Sequence, residues 1–171
     1  MNYYDKISGG YDELHREEQV NKLKLIKSNI KIRKDSKLLD VGCGSGISSD
    51  FECFAVGIDT SMGLLKRNNK LMRVCGAAEA LPFKGNSFDF VISVTAIHNF
   101  DDVNKSLEEI LRVGKNNFVF SILKKSNKFN KIRKIINASF KVHNEMDEGK
   151  DIIFFCRRKH NLYIGKITTT Q

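Results

Sequence analysis

A chain of 171 residues, 41% of them hydrophobic, is long enough to bury the core of one domain and too short to carry a separate substrate domain. Its apolar stretches are strand-length, far below the roughly 20 residues that cross a bilayer, and the amino-terminal MNYYDKISGG has no signal-peptide core, so a soluble cytoplasmic protein with no membrane partner is expected. The net charge of +9 favours anionic partners, whereas Cys43, Cys53, Cys75 and Cys156 form no C-x-x-C pair and the histidines are dispersed, which argues against a disulfide framework or a metal site.

In chain order the pattern predicts a helix over Glu13–Ile30, a strand over Lys37–Val41, a short helical piece after Gly46 and a strand over Ala55–Asp59. Ser61 then caps a helix over Met62–Asn69, followed by strands at Met72–Gly76 and Phe88–Val94. The pair Asp101, Asp102 starts a helix over Val103–Val113, and a strand over Asn117–Leu123 and a helix over Lys128–Ala138 come next. Two last strands, Ser139–Glu145 and Asp151–Arg157, are joined by the turn-like Asp147, Glu148, Gly149 and Lys150, which suits an antiparallel hairpin. The alternation predicts an α/β protein with five parallel strands, helices on both faces and a closing hairpin, seven strands in all. One domain over residues 1–160 is expected, its first 30 residues forming a helical segment, with a tail over 161–171.

The chemistry is concentrated in LLDVGCGSG, Leu38 to Gly46, and in the acid that ends AVGID, Asp59. Gly42, Gly44 and Gly46 allow a sharp turn after the first strand and let a ligand reach main-chain N–H groups. A dinucleotide fingerprint needs a further glycine where Ile47 stands, so a nicotinamide cofactor is disfavoured. Asp59, at the carboxyl end of the second strand, is placed either to accept both hydroxyls of a ribose or to cap the next helix with Thr60 and Ser61, and the two roles are compatible.

These residues, together with GAAEALPFKGNSFDFVISVTAIHNFDD and EEILRVGKNNFVFSI, resemble the class I S-adenosylmethionine-dependent methyltransferases over nearly the whole chain. The resemblance implies a Rossmann-like three-layer sandwich and S-adenosylmethionine as methyl donor. It implies that the loop of Asp40, Gly42, Cys43, Gly44 and Gly46 wraps the methionine half, that Asp59 and Thr60 hold the ribose, that Ala78 and Glu79 lie near the adenine, and that Ser93 and Val94 face the crevice. YDKISGGYDELHREEQ is similar to the lid of small members, with Tyr11 and Asp12 over the donor and Tyr4 and Asp5 as weaker counterparts; packing of these tyrosines on the sheet is the alternative. Three features depart from the family: Ala77 replaces an aspartate that accepts from the adenine amino group, with Glu79 the substitute; the segment from Gly46 to Asp59 is short by about one turn, roughly 6 Å of helix; and RVGKNNF lacks a proline-glycine turn.

The fourth strand runs into VTAIHNF, without the Asn-Pro-Pro-Tyr or Asp-Pro-Pro-Tyr run of enzymes that methylate adenine amines or amides, and no cysteine follows a proline as in carbon-5 pyrimidine enzymes. His98 is the one candidate base or acceptor-orienting group; packing beside the donor without chemistry is its other reading. Between Ile110 and Asn144 there is no acid, and Lys124, Lys125, Lys128, Lys131, Arg133 and Lys134 fall there. That stretch marks either an RNA-facing surface or the general Lys, Asn and Ile richness of the chain. RNA is therefore the expected acceptor, with a small molecule or protein as the alternative, and a non-catalytic donor-binding subunit that needs a protein activator as a third reading.

Overall fold

The computed structural model describes residues 17–47, 50–67 and 72–159. Its elements are helix α1 (17–29), β1 (Lys37–Val41), β2 (Phe54–Asp59), α2 (Met62–Arg67), β3 (Met72–Cys75), β4 (Phe88–Val94), α3 (Val103–Val113), β5 (Gly114–Leu123), α4 (Phe129–Ser139), β6 (Phe140–Asp147) and β7 (Asp151–Arg158). They build one seven-stranded sheet of order β3-β2-β1-β4-β5-β7-β6. The first five strands are parallel, and β7 runs antiparallel to both β5 and β6. The expected hairpin is present, but its second strand lies against β5 and its first strand forms the edge.

Strict alternation along each central strand explains the two-sided burial, as expected for parallel strands covered on both faces. Leu39, Val41, Val91, Phe118, Phe120, Ile122, Phe154 and Cys156 face the core beneath α3 and α4. Leu38, Phe90, Ile92, Val94, Val119, Ile153 and Phe155 face the core that Ile26 of α1 closes, helped by Phe51 and Cys53. The parity breaks at Phe88, which joins the first core although Phe90 joins the second, because the β4–β5 register shifts between them, and again in β6, where Val142 packs on the first core and Met146 on the second across a shift between Val142 and Asn144.

Helix starts follow the expected caps. Asp102 accepts from Lys105 N–H at 3.1 Å and Ser61 from Leu64 N–H at 3.3 Å. On α3, Val103, Ser106, Leu107, Ile110 and Val113 make the buried stripe. Two expectations fall partly outside the described residues. After Gly46 the one described residue before position 50, Ile47, is in a 3-10 turn, Phe51 packs on the second core beyond it, and α2 is described as far as Arg67.

The β5 strand begins at Gly114, three residues ahead of the expected start, and follows α3 with no intervening turn. A side chain there would sit 2.5 Å from Phe118 Cε1 and 2.8 Å from Val91 Cγ2, so only glycine passes. Arg158 at the end of β7 then satisfies the junction, donating to the carbonyls of Leu111, Gly114 and Lys115 in place of a proline-glycine turn. The Tyr4, Asp5, Tyr11 and Asp12 segment and the 161–171 tail lie outside the described residues. Among the described residues no helix is long and apolar enough to cross a membrane.

Candidate functional site

Strand β1 has β2 on one side and β4 on the other, so the connections leave its carboxyl end in opposite directions and open a crevice there. A cavity of about 370 Å³ fills that crevice. Gly42, Gly44 and Gly46 all have positive φ, +77°, +52° and +82°, a conformation other residues rarely adopt. At Gly42 a Cβ would also lie 2.4 Å from Ala96 Cβ, so the loop after β1 and the turn after β4 are packed backbone against side chain.

Asp59 ties this loop to β2. Its Oδ2 accepts from Gly44 N–H at 2.9 Å and its Oδ1 from Ser61 N–H at 2.8 Å, while the residue itself lines the cavity. One carboxylate therefore orders the turn before α2 and also borders the cavity. Gly42 and Cys43 N–H both donate to the Ile58 carbonyl, at 2.8 and 3.1 Å, which clamps the loop to the strand. Burial, with Asp40 and Asp59 nearby, pushes the Cys43 thiol far above its usual range, so it is a protonated packing group.

Of the residues expected at the site, Gly42, Cys43, Gly44, Asp59, Thr60, Ala78, Glu79 and Val94 line the cavity. Asp40 and Ser93 are fully buried in the strands, and Gly46 turns the loop behind the wall that Ser45 and Ile47 supply. Glu79 Oε1 accepts from Asp101 N–H at 3.0 Å and Asp102 N–H at 3.2 Å, so this carboxylate orders the entry to α3 as well as bordering the cavity. The ALPF segment beside it is strapped to α3: Arg112 donates to the carbonyls of Leu81 and Phe83, and Glu109 accepts from Leu81 N–H. Tyr11 lies outside the described residues.

His98 is not part of the cavity wall. Its Nδ1 is buried without a hydrogen-bond partner among the described residues, and burial is the main cause that lowers its pKa, so the ring is neutral near pH 7. The wall instead includes Gln19 from α1 and Thr95, Ala96, Asn99 and Asp101 after β4. Gln19 and Thr95 both fall within the quoted motifs, at the end of YDKISGGYDELHREEQ and in VTAIHNF, but residue type alone gives neither a role. Thr95 has φ +54°, which a β-branched residue adopts only when its surroundings impose it.

Two of the six cations named in the acid-free stretch are paired with acids from outside it. Lys124 pairs with Asp147 at 2.8 Å and Arg133 with Glu145 at 2.8 Å, while Lys128 Nζ donates to the Phe100 carbonyl. Lys125, Lys131 and Lys134 are exposed, the last two on the solvent side of α4, opposite Ile132 and Ile136.

A family model described as methyltransferase domain matches residues 39–122. An uncharacterized protein of Methanocaldococcus jannaschii is 33% identical over 162 residues, covering 88% of this chain and 62% of that protein. A demethylmenaquinone methyltransferase of Renibacterium salmoninarum is 39% identical over 87 residues, covering 46% of this chain and 37% of the enzyme. The chain thus spans less than two thirds of the length of these curated relatives. Among solved structures, a chain of the complex between the Haloferax volcanii Trm112 methyltransferase activator and a methyltransferase superposes with TM-score 0.79 at 16% identity, covering 94% of this chain and 99% of that one. A possible histamine N-methyltransferase of Thermotoga maritima gives TM-score 0.74 at 18% identity, covering 91% and 98%.

Proposed function

Residues 39–122 belong to the class I S-adenosylmethionine-dependent methyltransferase family, and from that premise we propose that this chain binds S-adenosylmethionine in the β1–β2–β4 crevice and directs methyl transfer to an acceptor at its mouth. One observation carries the reading: a loop of three positive-φ glycines, two of which, Gly42 and Gly44, line the wall, meets the Asp59 carboxylate at a single cavity. The residues present fit the group. The Gly42–Gly46 loop brings backbone within reach of the methionine portion, Asp59 supplies a charged acceptor for ribose hydroxyls, and Ala78 leaves apolar room beside Glu79 and Asp101 for adenine.

S-adenosylmethionine supplies a methyl group already activated on a sulfonium, so the protein has little covalent chemistry to perform. Its work is positioning: the glycine loop, Asp59 and the Thr95–Ala96 turn define where the donor end of the crevice lies, and the crevice wall excludes water on the sheet side. A base is required only for an acceptor that must lose a proton. His98, neutral and absent from the wall, is a packing or orienting group in this reading.

The acceptor class we favour is RNA, which the exposed Lys125, Lys131 and Lys134 support, Lys125 standing just beyond the carboxyl end of β5. The paired Lys124 and Arg133 support it less than composition alone implies. A second reading has one structural observation behind it. Edge strand β3 exposes Met72 and β2 exposes Phe54, at 61% and 50%, on one face of the open side of the sheet, a surface that suits an activator protein of the kind named in the Haloferax complex.

Calorimetric titration with S-adenosylmethionine and with its demethylated product tests the donor site directly, and absence of binding for both sinks the enzymatic reading of the isolated chain. Incubation with labelled donor and fractionated RNA, protein and metabolites then identifies the acceptor class. Label in RNA supports the favoured acceptor, label in metabolites replaces it, and label that appears only with a co-purified protein supports the activator reading.

A further inference from the structure

Beside the donor crevice lies a buried polar cluster that the proposed transfer does not use. Lys22 of α1, Ser121 of β5 and Asp151 at the start of β7 are each 0% exposed. Lys22 Nζ lies 2.5 Å from Glu18 Oε1, 3.5 Å from Glu148 Oε1 and 3.3 Å from Asp151 Oδ2. Helix α1 and the β6–β7 turn therefore meet around one ammonium group, and Glu18, Glu148 and Asp151 surround a cation that the protein already provides.

The cluster closes on Thr95. Its hydroxyl accepts from Lys22 Nζ at 3.0 Å and donates to Asp151 Oδ2 at 2.8 Å. Ser121 Oγ donates to the same Asp151 oxygen at 2.7 Å and accepts from the Thr95 backbone N–H at 2.9 Å. The hydroxyl and the backbone N–H of Thr95 are thus both held, and the residue sits at φ +54°. A threonine in the left-handed region is strained, because its branched Cβ crowds the backbone, and it stays there only where neighbours over-determine it. That turn has a visible result: it lays Ala96 Cβ 2.4 Å from the place a Cβ would occupy at Gly42, on the donor loop. On α1, Gln19 stands three residues from Lys22 and so on the same face, and it lines the cavity.

We infer that Asp151, balanced by Lys22, is a positioning residue of the donor site: through Thr95 it imposes the left-handed turn that packs Ala96 against Gly42 and shapes the wall of the crevice. The inference rests on the donor-site reading and names part of its machinery. It also assigns Lys22 a task, since its ammonium pairs with the buried Asp151 carboxyl group while anchoring the Gln19 face of α1 over the cavity.

A double-mutant cycle on the full chain tests this, with S-adenosylhomocysteine as the calorimetric probe and exchange of the Thr95 amide as a second readout. Asp151→Ala is expected to weaken binding at least about tenfold, the scale on which a strained turn relaxes, and to speed Thr95 amide exchange. Glycine adopts the left-handed turn unaided, so in a chain carrying Thr95→Gly the same Asp151→Ala step is expected to change affinity less than about threefold. Ser121→Ala, which removes the acceptor of the Thr95 N–H without disturbing the charges, repeats the cycle should Asp151→Ala fail to fold. Equal penalties in the wild-type and Thr95→Gly backgrounds overturn the inference, as does wild-type affinity in both Asp151→Ala and Ser121→Ala. Failure of the wild-type chain to bind the probe is a different result: it removes the donor-site reading itself, and the positioning role with it.

Discussion

Asp59 spends both carboxylate oxygens on backbone N–H groups and still faces the cavity, so its removal acts on the loop and on the ligand together. Asp59→Ala is expected to lower donor affinity by ~10–100-fold, since each hydrogen bond to a charged group is worth ~1.5–3 kcal/mol, with calorimetry as the measurement. Gly42→Ala tests the loop without touching charge: a Cβ 2.4 Å from Ala96 Cβ at φ +77° must displace one of the two turns, so affinity and melting temperature should both fall. His98 bears on pH. Its pKa is lowered from 6.5, chiefly by burial, so as pH falls below 6.5 the unfolded imidazole takes up a proton before the folded one does. Folding stability should therefore decline from pH 6.5 downward until the folded ring also protonates, and be fully present above it. Urea titrations at roughly pH 7.5 and 5.5 should show a smaller decline in His98→Gln than in the wild-type chain, with a remainder because His143 is lowered in the same direction. An unchanged decline removes His98 as its source. The glycines and Asp59 were legible because their chemistry is local to a few consecutive residues. Thr95 was not, because its backbone conformation is imposed by Lys22 and Asp151, far away in the chain.

The elements differ in how they are held. Helix α3 is fixed at both ends by hydrogen bonds beyond its own: Asp102 caps its start, and Arg112 reaches from its last turn to the Leu81 and Phe83 carbonyls. Arg112→Ala strands those carbonyls and frees the segment that carries Ala78, so a loss of ~1–3 kcal/mol by urea denaturation is expected, together with weaker donor binding. Where α4 meets β6, Phe140 packs edge-on against Phe118 and Phe120 at centroid distances of 4.9 and 5.0 Å and is 1% exposed. Phe140→Ala should lower stability by ~3–5 kcal/mol and leave donor affinity nearly unchanged, because none of these rings lines the crevice. The contrast between the two variants separates a strap on the site from a core contact. Caps and buried stripes were readable from the pattern of apolar residues and their flanking acids. The early start of β5 was not, since Gly114 is admitted by Phe118 and Val91 packing and by Arg158 arriving from β7.

At the scale of the molecule, seven strands and their directions followed from alternation and the short 148–150 link, while the placement of β7 between β5 and β6 did not, because periodicity records burial and carries no label for the pairing partner. The same limit applies to charge. A run of cations without acids looks like one surface, yet folding brings Asp147 and Glu145 from β6 against Lys124 and Arg133. A phosphate backbone approaching this side therefore gains most from Lys125, Lys131 and Lys134, which are exposed, and little from cations already neutralised. If RNA is the acceptor, binding must release counterions, and its logarithm should fall linearly with the logarithm of salt concentration. Removing Lys125, Lys131 and Lys134 together should reduce that slope by up to ~2, taking ~0.7 per lost contact on a single strand. Removing Lys124 and Arg133 should reduce it much less, because cations engaged by Asp147 and Glu145 neutralise few phosphates to begin with. Filter binding across a salt series, with both sets of variants shown to melt as the wild type, measures the two slopes. A salt-independent signal rules RNA out as the partner of this surface, and equal slopes for the two sets would mean that the ion pairs open on contact, placing the footprint over β6 as well as α4.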